Sequence, residues 1–140
     1  FINLKNIETM EYKQNFLEIA RKNFQIWNDA LQTKDAKKVA ELYSKDATFL
    51  PTMSGDFKFG QEGAKDYFED FLLANPRGKI VEEKIQPMGE RYYSYNGMYN
   101  FEVGAEGRRL IKECRFTFNW IKDEDGRWKI LHQHSSIKPK

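Results

Sequence analysis

An α+β domain is what these 140 residues predict, and the prediction rests on a change of pattern near the middle of the chain. Up to Leu72 the apolar residues recur at helical spacing, whereas beyond Gly78 four long runs are rich in β-branched and aromatic residues. Helices first and strands later is the order of a domain whose helices cover one face of a curled, mostly antiparallel sheet. Length supplies the third bound. A chain of this size buries roughly 70% of the surface its unfolded form exposes, enough for one core, so residues 1–140 are read as a single domain.

The elements follow in order. Residues 1–10 are expected to be extended or frayed. Residues 11–31 place Phe16, Ala20, Phe24, Trp27 and Leu31 on one face, which predicts a long amphipathic helix. Residues 35–43 predict a second, short helix with Asp35 as N-cap and Val39, Leu42 and Tyr43 as its apolar face. Ala47-Thr48-Phe49-Leu50 is a strand stopped by Pro51, and Phe57-Lys58-Phe59 is a brief alternation after turn residues. From Gly60, the residues Ala64, Tyr67, Phe68, Phe71 and Leu72 form a third helical stripe that ends before Pro76. Residues 79–86, 92–103, 110–121 and 128–137 are four strands of a meander, separated by glycine-containing turns.

Composition removes several function classes. The 11 Phe, 7 Tyr and 3 Trp exclude disorder, because large apolar side chains offset the entropy of ordering. With 23 basic and 21 acidic residues interleaved along the chain, no basic block supports nucleic-acid binding. The single cysteine, Cys114, has no partner for an internal disulfide, and no run approaches the length of a membrane span. A soluble, cytoplasmic protein without membrane contact is the expectation.

Four motifs in order carry a family resemblance. They are Phe49-Leu50-Pro51-Thr52-Met53-Ser54, the run 66–72 with Pro76 and Gly78, Arg115-Phe116-Thr117-Phe118, and the stretch from Asp125 through His132-Gln133-His134-Ser135-Ser136 to Pro139. Together they resemble the association domain of calcium/calmodulin-dependent protein kinase II, in its stand-alone form, within the nuclear transport factor 2-like superfamily. The resemblance spans residues from about 15 to 139. It implies a cone in which three N-terminal helices pack on a strongly curved sheet, with a cavity at one end. It also implies self-association, as a homodimer that in the kinase closes into larger rings. No kinase and no calmodulin-binding segment occur within these residues, so calcium or calmodulin regulation is not carried over. Gln133 stands where stand-alone relatives commonly have a third consecutive histidine.

His132 and His134 are the only histidines, and strand spacing puts both on one face of the last strand. No cysteine or third histidine is available to complete a zinc set, so neither metal nor cofactor is expected. In the preceding strand Arg115, Thr117 and Asn119 alternate with Cys114, Phe116, Phe118 and Trp120. A two- or four-residue hairpin loop would join the histidines to Arg115; a three-residue loop with a glycine bulge would join them to the aromatics. Both remain open from the residues alone. Arginines lining the cavity are a feature of the resembled domain, and an Arg on a closed cone would need an acidic partner or an anionic ligand. Tyr43 and Tyr99 could supply hydroxyls. The candidate ligand-binding set is therefore Arg115, His132, His134, Tyr99 and Tyr43, with catalytic residues unassigned.

Two functions follow as expectations. The first is a homo-oligomerising module whose conical pocket binds a small polar or anionic molecule. The second is a cofactor-free enzyme in the manner of ketosteroid isomerases or polyketide cyclases, with His132 or His134 as base and Arg115 or Tyr99 stabilising the developing charge. Cys114, among strand aromatics, is assigned no role.

Overall fold

The computed structural model describes residues 3–140. Helix α1 runs Leu4–Gln32, α2 Ala36–Ala40, strand β1 Tyr43–Leu50, β2 Lys58–Phe59 and α3 Gly60–Phe71. A single 3-10 turn, Leu72–Ala74, follows, and then β3 Arg77–Pro87, β4 Tyr92–Val103, β5 Leu110–Lys122 and β6 Trp128–Ile137. The six strands form one sheet in the order β2-β1-β6-β5-β4-β3, antiparallel except where β1 runs parallel to β6. No described helix is long and apolar enough to cross a membrane.

Two boundaries differ from the sequence expectation. Residues 1 and 2 of the expected extended N-terminus lie outside the described residues, but residues 4–10 are helical. The Asn3 side chain accepts from the Lys5 amide at 2.9 Å and caps the helix, and α1 is then about 44 Å long at 1.5 Å per residue. Its first turns bury no side chain, so local helix preference overrides the lack of packing there. The second correction concerns Tyr43, which does not belong to α2. That helix is capped by Asp35 as expected but closes at Ala40, and Tyr43 opens β1 by pairing with Ile130, an alignment 87 residues distant in sequence that no local pattern announces.

The buried stripe of α1 lies against the inner face of the sheet. Trp27 is the hub, with ring centroids of Phe118 at 5.2 Å, Phe24 at 5.7 Å, Phe101 at 6.0 Å and Phe68 at 6.3 Å. These are edge and tilted contacts, the arrangement ring quadrupoles favour. Curvature has a visible source in β3, where the register shifts between Ile80 and Glu82. A Cβ on Gly97 of the neighbouring strand would sit 2.0 Å from the Glu82 carbonyl oxygen, so only glycine admits this close approach.

Candidate functional site

The β5–β6 hairpin decides what the site is made of. Its turn is the three-residue type: the Asp123 amide donates to the Arg127 carbonyl at 2.8 Å, the Gly126 amide donates to Asp123 at 3.0 Å, and Gly126 is left-handed at φ 79°. From this turn Lys122 pairs with Trp128 and Trp120 with Ile130, which puts Ile130 on the aromatic, inner face. Continued alternation would carry His132 and His134 inward as well. It is interrupted between Asn119/His132 and Trp120/Ile130, where Leu131 is an extra residue. One extra residue exchanges the two faces of everything beyond it. Gln133 and Ser135 therefore turn inward, and His132 and His134 turn outward opposite Asn119 and Thr117.

The five expected site residues are consequently divided. Tyr43 and Tyr99 are fully buried beneath the helices, while Arg115 and His134 are exposed on the outer face and His132 is half-buried beside them. The expected hollow lined by Arg115 and both imidazoles is not formed among the described residues. The three do share one face, as one hairpin alternative had it, but that face is turned away from the core. Arg115 reaches the Ser136 hydroxyl, with Nη2 at 3.2 Å and Nε at 3.3 Å. His132 Nδ1 lies 2.8 Å from the Thr48 hydroxyl on β1. Burial pulls the His132 imidazole below its ordinary value, the nearby His134 adds to this, and hydrogen bonding to the Thr48 backbone opposes it. Beside them Thr117 donates to the Asn96 side chain at 2.7 Å, and Asn96 donates to Gln86 at 3.0 Å and Ser94 at 2.9 Å. Asn119 Oδ1 is buried there without a hydrogen-bond partner among the described residues.

Inside the cone a different polar set replaces the expected one. Trp27 Nε1 donates to the Tyr43 hydroxyl at 3.1 Å, and that hydroxyl donates to Gln133 Oε1. Tyr99 donates to the Ser135 hydroxyl at 2.5 Å, which also meets the hydroxyl of Thr52. Tyr67 closes the group by donating to the Thr52 carbonyl at 2.9 Å. The space lined by Thr52, Tyr67, Tyr99, Gln133 and Ser135 is about 10 Å³, on the scale of one water. Burial raises Tyr43, Tyr67 and Tyr99 above the ordinary phenol range, so they act as neutral donors. Sequence reasoning missed Gln133, Ser135, Thr52 and Tyr67 as a group. The signal that could have found them is the polar pair flanking His134, but assigning it inward requires knowing that Leu131 is a bulge.

The remaining chemistry is quiet. Cys114 is buried, its Sγ 3.7 Å from the Lys112 carbonyl, and burial pushes its thiol up to about 11, so it is protonated near neutrality. Among the described residues no three His, Cys, Asp or Glu side chains come together as a metal set.

Comparison with known proteins agrees with this architecture. The family model described as the calcium/calmodulin dependent protein kinase II association domain matches residues 12–139. Among solved structures, a Xanthomonas campestris protein assigned to that association domain is 34% identical, with a TM-score of 0.83 over 88% of this chain and 87% of that one. An NTF2-like protein with a cystatin-like fold from Novosphingobium aromaticivorans is 10% identical, with a TM-score of 0.73 over 96% of this chain and 90% of that one. A protein from the same organism assigned as an aromatic ring hydroxylase is 17% identical, with a TM-score of 0.71 over 86% and 87%. The last two are similar in fold. No curated protein sequence matches this chain.

Proposed function

Since this chain belongs to the calcium/calmodulin dependent protein kinase II association domain family, we propose that it is a self-associating module and that copies meet through the outer face of β4, β5 and β6. Family membership is the observation that carries self-association. The choice of face is supported by its composition. Met98 and Ile121 are half-buried among Asn96, Thr117, Asn119 and His132, with Leu50 of the adjoining β1 beside them, and no described helix covers them. Such a mixture of apolar and hydrogen-bonding groups is the usual make-up of an interface, and Asn119 Oδ1 lacks a partner that a second copy could supply. Sedimentation velocity at micromolar concentration tests this: a dimer or larger species is expected, and Thr117→Arg, in the middle of the face, should shift the chain toward monomer. A strict monomer in the parent protein overturns self-association. An oligomer untouched by Thr117→Arg moves the interface elsewhere.

A narrower reading adds a small polar ligand within the cone. Its support is the lining set of Tyr99, Gln133, Ser135 and Thr52, with Tyr43 bonded to Gln133 behind it, which offers hydroxyl and amide groups but no formal cation. A neutral polar molecule suits this lining better than an anion, and anything larger than water requires the roughly 10 Å³ space to widen. The isomerase-like reading is weaker. The interior lining contains no imidazole or carboxylate to act as base, and both histidines are on the opposite side of the sheet from it.

A further inference from the structure

A second recess lies away from both the interior cluster and the histidine-bearing face, between α1 and the base of the β5–β6 hairpin. Ile19, Lys22 and Ile26 face it from one stripe of the helix, Leu42 closes one end, and Trp120 and Arg127 line it from the hairpin; its volume is about 430 Å³. That is within the range of small-molecule sites, and most of its lining is apolar. Ile26 remains 43% exposed at its mouth, although its neighbours Phe24 and Trp27 on the same helix are buried.

Two features set the recess apart. The first is charge: Lys22, Arg127 and Lys129 line it, no carboxylate does, and none of the three is in an ion pair among the described residues. Lys129 is held by the Glu41 carbonyl at 2.5 Å, which leaves Lys22 and Arg127 without that constraint. The second is an unmet donor. Trp120, a lining residue that is only 1% exposed, has its indole nitrogen buried and without an acceptor among the described residues, whereas Trp27, equally buried, donates to Tyr43. A buried donor without an acceptor is costly, and such groups are rare in folded chains.

We propose that this recess binds a small anionic amphiphile, an aryl or alkyl carboxylate. Its apolar body lies along Ile19, Ile26 and Leu42, and its carboxylate is drawn by Lys22 and Arg127 at the rim, beside the largely buried Trp120. The interaction needs no metal and no covalent step, and it is independent of whether copies associate through the outer face.

The test is a titration of 1-naphthylacetate into the ¹⁵N-labelled protein in its native assembly, following the indole N–H signals, with Trp120 assigned by correlation to its own backbone. The expected result is a saturable shift of the Trp120 signal and at least tenfold weaker binding of 2-(1-naphthyl)ethanol, which has the same ring without the charge. Lys22→Gln combined with Arg127→Gln should weaken binding at least fivefold at an unchanged unfolding midpoint. No saturable shift at Trp120, equal affinity for the alcohol, or undiminished binding by the double variant would each overturn the proposal.

Discussion

The inner and outer faces of β6 are built from alternate residues of one strand, yet they obey different rules. Inside, Gln133 and Ser135 are buried and each is held by a buried tyrosine. Outside, His134 is exposed, and His132 is bonded to Thr48 at the margin of solvent. A polar group in the core must be paired, because an unmet partner costs about 1–3 kcal/mol, whereas an exposed side chain such as His134 on the outer face can be satisfied by water. Polar residues of one strand are thus structural on one side and available for recognition on the other.

The comparison fails first if the sheet does not bend, so Gly97 is the most severe test. Gly97→Ala drives a methyl group into the Glu82 carbonyl and should cost about 3 kcal/mol, at the upper end for overpacking, seen as a lower urea midpoint. An unchanged midpoint would mean that β3 can withdraw and that the bend is not set there. A paired substitution then measures the contrast directly. Gln133→Leu leaves the Tyr43 hydroxyl without its acceptor and should cost about 1–3 kcal/mol. His134→Leu should stay within about 0.5 kcal/mol in the same denaturation experiment at fixed protein concentration. Equal losses would erase the distinction between the faces.

The smallest effect concerns pH. Because the folded chain holds His132 below its ordinary value of 6.5, the unfolded chain takes up the proton first as pH falls. The contribution is therefore fully present above pH 6.5 and declines as pH drops from there toward the folded-state value. His132→Gln should flatten the stability profile between pH 7 and pH 5. A profile as steep as that of the parent would assign the dependence to other groups.

Much of the fold was legible because it is written in local periods. The stripe Phe16, Ala20, Phe24, Trp27, Leu31 and the four β-rich runs gave the layer arrangement, and Asp35 and the Asn75-Pro76 pair marked ends that the structure keeps. The parallel pairing of β1 with β6 was not legible, since it joins segments far apart in sequence, and Tyr43 was misplaced for that reason. The division of the site was hidden more deeply. The glycine turn at Gly126 could be anticipated, but Leu131 looks like any other strand residue, and its bulge reverses the parity the turn sets up.

Residue order by itself determined which segments are helical or extended and that one core, rich in aromatics, must hold them together, because those properties follow from nearest-neighbour sterics and the spacing of apolar side chains. Only the tertiary structure decided which side of the sheet each polar residue of β6 occupies. Facing depends on the count of residues between pairing points, and a single insertion changes that count without altering any local preference.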